Sequence, residues 1–211
     1  MDAVERSRWA ECAVQAVNAA FPGVEFKSWP ECERLIPQAL VCDRLIQEYG
    51  MEIPAATRML NQAAYYLHVR AQYRTAEPLY RRALDIREKV LGAEHPDTAT
   101  SLNNLAALLN HQGKYEEAEP LCRRALGIWE KALGAEHPDM GGSLNNLAQI
   151  LGCQGRMGEA EPLCRRAFAI LEKALGIKHP STITVGKNLV LFLREQGKEA
   201  EAEALERRMK E

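Results

Sequence analysis

The sequence lacks any apolar run long enough to cross a membrane. Its longest apolar stretches are short, such as NLVLFL at 188–193, whereas a membrane-spanning helix needs about 20 residues. It also lacks an excess of one charge, because 27 Lys and Arg residues are balanced by 29 Asp and Glu residues, which gives a formal net charge of −2. Proteins that bind nucleic acids normally have a clear basic excess. We therefore expect neither a membrane protein nor a nucleic-acid-binding protein.

Signals for export and for disulfide bonding are also missing. The first residues, MDAVERSRWAEC, are charged and lack the apolar core of a signal peptide, and no Asn-x-Ser/Thr acceptor occurs. The six cysteines, at positions 12, 32, 42, 122, 153 and 164, include no CxxC pair. This pattern predicts a cytoplasmic protein whose cysteines are buried free thiols.

Motifs for catalysis are missing as well. The sequence contains no phosphate-binding GxxxxGK[ST] loop, no HExxH, no GxSxG and no calcium-binding loop. His95, His137 and His179 recur at a fixed interval, and a catalytic residue has no reason to be copied in this way. We therefore predict no enzymatic activity, no cofactor and no metal site.

What the sequence does contain is a 42-residue repeat. The phrase LGAEHPD occurs at 91–97 and again at 133–139, with a looser copy, LGIKHPS, at 175–181. SLNNLA at 101–106 returns at 143–148 in the same register. Prolines in register open each copy, at Pro54, Pro96, Pro138 and Pro180. Periodicity of this kind indicates an array of similar structural units.

The apolar spacing within one repeat predicts two helices. Leu102, Leu105, Ala106 and Leu109 lie at i, i+3, i+4 and i+7, the spacing of one helix face. A second apolar stripe begins after Gly113, a residue suited to a helix end. LGAEHPD then supplies a glycine to end the second helix and a proline to begin the next one, so it is a connector rather than an active site.

These motifs resemble the tetratricopeptide repeat. Leu102, Leu105, Ala106, Gly113 and Ala118 match its consensus of large, small, Gly and Ala positions. The phrases LNNLA, GKYEEAEPLCRRAL and LGAEHPD resemble the long repeats of kinesin light chain, and they are also similar to those of a large group of bacterial repeat proteins. The resemblance covers residues 54–211 and implies an all-α fold, a right-handed α-solenoid of antiparallel helix pairs. The predicted repeats are 54–92, 96–134, 138–176 and 180–211, the last of which is a polar cap.

The first 52 residues depart from the repeat. Two helical stripes predict a divergent helix pair over 1–52, with one helix over 3–20 and another over 32–49. In the first helix, the predicted buried stripe is Trp9, Ala13, Ala16, Val17 and Ala20. The phrases RWAECAVQAVNAAFP and WPECERLIPQAL resemble the segment that links the switch domain of bacterial NB-ARC signalling NTPases to a repeat sensor.

The first helix of each repeat carries polar side chains beside its leucine stripe, where stacked repeats form an inner groove. The residues predicted to face this groove are Arg58, Asn61, Gln62 and Tyr65 in the first repeat, Asn103, Asn104 and Asn110 in the second, Asn145, Asn146 and Gln149 in the third, and Lys187, Asn188 and Arg194 in the fourth. Asparagine is a mediocre helix former, so its repeated use within helices needs a reason.

Two explanations for these amides are open and compatible. They can hydrogen-bond the neighbouring helix and fix the stacking, or they can hold the backbone of an extended peptide with their donors and acceptor. The resemblance to kinesin light chain implies the second role for Asn104, Asn146 and Asn188, and with less support for Gln62. The basic residues predict an acidic peptide as the ligand.

The sequence therefore predicts a non-catalytic scaffold that binds a peptide or protein segment in a concave groove. One alternative is the C-terminal sensor arm of a larger NB-ARC-type NTPase, fused to that domain or docking on it. Another is an oligomerisation or spacer module.

Overall fold

A computed structural model describes residues 2–210, and the regular structure of these residues is helical. Its helices are α1 (Ala3–Ala20), α2 (Trp29–Tyr49), α3 (Pro54–Val69), α4 (Tyr73–Leu91), α5 (Pro96–His111), α6 (Tyr115–Leu133), α7 (Pro138–Cys153), α8 (Met157–Leu175), α9 (Pro180–Glu195) and α10 (Glu199–Lys210), with a short 3₁₀ turn at Phe26–Ser28. The predicted all-α fold of consecutive helix pairs is confirmed.

The helices form two compact units, Met1–Leu108 and Leu109–Glu211, and each is described by itself. In the N-terminal unit, α1 packs against α2 and α3, and α3 packs against α4. In the C-terminal unit, α7 packs against α6 and α8, and α9 packs against α8 and α10. Connections of a few residues make neighbouring helices antiparallel.

The buried face of α1 differs from the predicted one. Ala10 and Val14 are buried, whereas Trp9 is 63% exposed and Ala13 is exposed. The two stripes are offset by one residue, about 100° around the helix. Because α1 has two apolar stripes, its sequence could not indicate which one meets α2 and α3. Of the predicted stripe, Trp9, Ala13, Ala16 and Ala20 are exposed and Val17 is half-buried, so that prediction is wrong.

The connectors act as the predicted helix boundaries. Gly134 and Gly176 follow α6 and α8 with φ values of 89° and 85°. Each connector histidine then caps the next helix, because the Nδ1 atom of His137 accepts a hydrogen bond from the Asp139 N–H at 3.3 Å, and His179 does the same for Ser181 at 3.2 Å. The repeated histidine is therefore a helix cap, in keeping with the structural role expected for it.

Close helix packing in the C-terminal unit depends on small residues. Ala148 on α7 and Ala160 on α8 are fully buried. Gly186 replaces the leucine found at this register in the earlier repeats, and a Cβ atom added there would meet the Met209 sulfur and lie 3.0 Å from Phe168. Gly186 therefore leaves room for these two larger side chains.

The cysteines divide into two groups. All six are free thiols, and four are buried, but Cys12 and Cys153 are exposed, which corrects the prediction that all are buried. Burial raises the pKa of Cys122 and of Cys164 to about 12. These two thiols occupy the register position of Tyr80, which is also buried, and they act as packing groups.

Candidate functional site

The C-terminal unit contains an open cleft of about 540 Å³. Side chains from the ends of α5, α7 and α9 and from the starts of α6 and α8 surround it. The lining residues are Asn110, His111, Tyr115, Gln149, Gly152, Cys153, Met157, Asn188, Leu191, Phe192 and Glu195. Three of the predicted groove residues, Asn110, Gln149 and Asn188, are therefore brought together in one cavity.

The amides of this unit are bonded to one another. Asn188 Nδ2 donates to Asn145 Oδ1 at 2.9 Å, and Asn110 Nδ2 donates to Gln149 Oε1 at 3.4 Å. These bonds connect first helices of successive repeats, as the stacking explanation predicted. Each carboxamide has two N–H donors and two acceptor lone pairs, so one bond leaves hydrogen-bonding capacity for a ligand.

Three apolar side chains, Met157, Leu191 and Phe192, also line the cleft and together are called its floor. Leu191 is 58% exposed, so more than half of its surface is open to solvent beside the cleft. A Cβ atom added to Gly152 would lie 2.6 Å from the Phe192 ring, so this glycine lets the ring lie against the α7 backbone. Met157 also contributes to the floor. The cleft thus offers an apolar surface beside a row of amides.

A tyrosine and a cysteine stand together at one side of the cleft. The hydrogen bond between the side chains of Tyr115 and Cys153 is the largest influence that raises the pKa of Tyr115, followed by the charge of the thiolate and by desolvation. Cys153 is exposed. Its thiol is therefore accessible to solvent in the lining of the cleft.

The predicted basic character is weaker in the structure than in the sequence. Arg194 is bound to Glu199 at 3.0 Å and to Glu206 at 3.2 Å. With Lys187, it lines a different cavity of about 430 Å³ between α9 and α10. Glu195 is the carboxylate in the lining of the larger cleft. The cleft itself therefore gives little support for an acidic ligand.

The predicted residues of the first repeat lie in the N-terminal unit. Arg58 donates to the backbone oxygen and the side-chain oxygen of Asn18, at 2.9 and 3.1 Å. Asn61 accepts a bond from Asn104 at 3.4 Å, the counterpart of the pair formed by Asn188 and Asn145. Tyr65 is 45% exposed.

The remaining predicted amides are less accessible. The Gln62 Oε1 atom is buried and has no hydrogen-bond partner among the described residues. Asn103 and Asn146 are half-buried on α5 and α7, and Asn145 is 7% exposed. Partial burial limits how much of each amide a ligand could contact.

Some cleft residues were missed by the sequence interpretation, although the repeat contains a signal for them. Leu191 has the register position of Tyr65 and Gln149, both of which were predicted. Met157 has the position of Tyr115. Both residues are apolar, whereas every predicted groove residue carries a polar group.

Neither a membrane span nor a metal centre is found in residues 2–210. No helix in this range is both long and apolar enough to cross a membrane. No group of three or more His, Cys, Asp or Glu side chains in the same range is placed to hold a metal ion.

Two tetratricopeptide repeat profiles match most of the chain. One matches residues 98–139, and the other matches residues 55–110 and 139–209. No curated protein matches the sequence significantly.

The fold is similar to several crystal structures. The nearly identical TPR-like repeats of a candidate kinesin light chain from Podosopora anserina are 22% identical with a TM-score of 0.70, and the match covers 100% of this chain and 95% of that one. BtubC (BKLC) from P. vanneervenii is 21% identical with a TM-score of 0.64, over 100% and 91% of the two chains. A Rap protein, crystallised with competence and sporulation factor, is 18% identical with a TM-score of 0.68, over 86% of this chain and 49% of that one.

Proposed function

Since this chain belongs to the tetratricopeptide repeat family, we propose that it is a non-catalytic interaction module that holds an extended peptide segment in the cleft of its C-terminal unit. The observation that carries this proposal is the cleft of about 540 Å³, in which three amide side chains stand beside an apolar floor. The Rap protein complexed with competence and sporulation factor is a structural neighbour in which a related fold has a bound partner.

The amides suit the backbone of the ligand. An extended peptide presents an N–H and a C=O at each residue, and carboxamides can bond to either group whatever the side chains are. Asn188 is held by Asn145 at 2.9 Å, so its remaining polar atoms have a fixed direction. Such positioning lowers the entropy cost of binding.

The floor selects an apolar side chain of the ligand. Leu191 and Phe192 lie on neighbouring positions of α9 in the cleft lining, and covering the exposed part of Leu191 would remove apolar surface from water. Because Glu195 also lines the cleft and Arg194 is paired elsewhere, an uncharged or mildly basic segment fits better than the acidic one expected from the sequence.

The proposal can be tested with peptides selected from a random library on the full chain. The double variant Q149A/L191A removes one amide and one floor side chain, and it should weaken binding about tenfold or more, as measured by fluorescence anisotropy. L175A is a matched control, because Leu175 is 42% exposed in the same unit but does not line the cleft. Selected peptides that bind Q149A/L191A as tightly as the unmodified protein would refute the cleft as the binding site.

Thiol labelling gives an independent readout. In a C12S background, Cys153 is the remaining exposed thiol among the described residues. A peptide seated in the cleft should slow its reaction with a maleimide dye. Unchanged labelling at saturating peptide would place the ligand elsewhere.

A sensor arm of a larger NB-ARC-type NTPase is a second candidate. The specific observation that favours it is the exposed apolar surface of the N-terminal helices, where Val4, Trp9 and Phe26 are 71%, 63% and 81% exposed. A preceding domain in the same reading frame would cover such a surface. The candidate fails if the natural gene encodes no nucleotide-binding domain in frame.

A further inference from the structure

A separate cavity, of about 320 Å³, lies in the N-terminal unit where the start of α3, the end of α4 and the start of α5 meet. Its walls are mainly apolar, but two arginines also line it. The apolar lining residues are Ile53, Pro54, Val90 and Leu91. Val90 and Leu91 are 42% and 41% exposed, so the cavity opens to solvent beside surface that a ligand could cover.

One of the two arginines departs from the repeat. Arg87 occupies the register position of Trp129 and Leu171 in the next two repeats. Those two side chains are 3% and 4% exposed, so this position is normally a buried apolar one. An arginine in a position built for packing is costly unless its charge has a use.

The hydrogen bonds of Arg87 go to neutral groups only. Its Nη1 atom donates to the Asp97 backbone oxygen and to the Ser101 hydroxyl, both at 2.8 Å. Both acceptors are neutral, and no carboxylate among the described residues forms an ion pair with the guanidinium group. Desolvation lowers the pKa of Arg87, although the charge of Asp97 acts in the opposite direction.

The second arginine, Arg58, is exposed, but like Arg87 it forms no ion pair with another described residue. Arg58 corresponds to Thr100, Gly142 and Thr184 in the other repeats, so this charge is also particular to the first repeat. Its Nη1 atom donates only to the neutral oxygens of Asn18. On both arginines, the hydrogen bonds to other described residues use Nη1, so the Nε and Nη2 donors are available to a ligand.

We propose that this cavity binds an aliphatic carboxylate, with the carboxylate hydrogen-bonded to Arg58 and Arg87 and the aliphatic chain against Val90 and Leu91. Charge-assisted bonds between guanidinium and carboxylate groups are strong and geometrically specific. The start of α3 adds to the attraction, because the first turn of a helix carries partial positive charge. This site is distinct from the peptide cleft and does not depend on it.

Asp97 sets a limit on the affinity. Asp97 also lines the cavity, so the lining contains two positively charged side chains, Arg58 and Arg87, and one negatively charged side chain. Asp97 would repel a bound carboxylate, and the variant D97N should therefore bind the same ligand a few fold more tightly.

The experiment compares hexanoate with hexanamide, which has nearly the same shape but no charge. The full ¹⁵N-labelled chain is titrated with each compound, and amide shifts of residues around the cavity are followed. We expect saturable shifts with hexanoate and at least about tenfold weaker binding of hexanamide. Equal responses to the two compounds, or no saturable shifts up to about 50 mM hexanoate, a concentration that would reveal even weak binding, would overturn the proposal.

Variants taken from the repeat itself test the two arginines. R58T installs the residue of the second and fourth repeats, R87L installs that of the third, and each should weaken hexanoate binding about tenfold. R34T is a matched control, because Arg34 is exposed on α2 and does not line the cavity. If R87L does not fold, R58T still tests the site, because Arg58 is exposed and its replacement should not disturb folding. Hexanoate binding that is unchanged in R58T, or equally weakened in R34T, contradicts the assignment.

A second pair of ligands distinguishes the sources of such a carboxylate. Acetyl-Ala-Leu with a free carboxyl end and its C-terminal amide represent the end of a protein chain. If the acid binds more tightly than hexanoate and the amide does not, the natural ligand is a peptide terminus. If hexanoate binds more tightly, it is a small organic acid. Both results support the site.

Discussion

The first and third repeats have the same pattern of helices but different residues at two matching positions. In the third repeat, Leu171 fills its position as a buried apolar side chain, and Gly155 ends α7 with φ 76°. In the first repeat the corresponding residues are Arg87 and Ala71. Ala71 adopts φ 57°. This left-handed conformation is energetically unfavourable for any residue that has a Cβ atom. Residues that match the repeat consensus therefore maintain the helix packing. Residues that differ from it, such as Arg87 and Ala71, mark structural features that are particular to one repeat.

The largest effect is expected from forcing the fourth repeat to match the others. G186L restores the leucine of the earlier repeats, but the Phe168 and Met209 side chains occupy that space, so we expect a loss of about 2 kcal/mol in unfolding free energy. Urea denaturation measures it. G142A is the control, because a Cβ there meets nothing within 4 Å, and it should stabilise by up to about 1 kcal/mol. A stable G186L would mean that α9 and α10 are packed differently.

A smaller effect is expected at an acidic residue that the second and third repeats share as Glu119 and Glu161. Burial alone would raise the pKa of Glu119, but hydrogen bonds from Arg123 and Arg156, at 2.8 and 3.0 Å, outweigh it and lower the pKa below its ordinary value of 4.5. E119Q should cost about 1.5 kcal/mol at pH 7.

The pH dependence of that loss has a definite sign. Because the folded pKa is depressed, the stabilisation by Glu119 is complete above pH 4.5 and disappears as the pH falls through the lower folded value. The melting temperatures of E119Q and the unmodified protein should therefore converge in acid. A constant difference between them from pH 7 to acid would contradict the ion-pair explanation.

The capping role of the connector histidine predicts a loss of about 1 kcal/mol for H137A, since a backbone N–H at the start of α7 would lose its acceptor. Thermal unfolding monitored by circular dichroism measures this loss. K178A, at an exposed connector position, should change the melting temperature little. Equal effects of the two substitutions would show that the cap contributes nothing.

The smallest expected change in stability is an increase rather than a loss. A71G gives the first repeat the glycine that Gly113, Gly155 and Gly197 supply in the others, and it should stabilise by about 0.5 kcal/mol because φ 57° suits glycine. The same substitution at Ala204, exposed within α10, should destabilise by nearly 1 kcal/mol. If both variants are destabilised, Ala71 does not have the conformation described.

The candidate cleft was partly predictable. The polar residues beside the leucine stripe of each first helix included Asn110, Gln149 and Asn188, and the structure places all three around one cavity. Arg194 was counted as a ligand-binding charge, yet Glu199 and Glu206 hold it, because a sequence does not show which opposite charges come together across a helix pair. Leu191 was not predicted because it is apolar, whereas every predicted groove residue carries a polar group.

What the sequence alone determined is local. Apolar residues three and four apart, glycines at most helix ends and a proline at the start of the first helix of each repeat placed the helices, since these effects act over one or two turns. Only the tertiary structure decided which stripe of α1 is buried, which amides bond to each other and that Arg58 and Arg87 share a cavity. These outcomes depend on contacts between residues far apart in the chain, where the periodic pattern permits several arrangements and packing selects one.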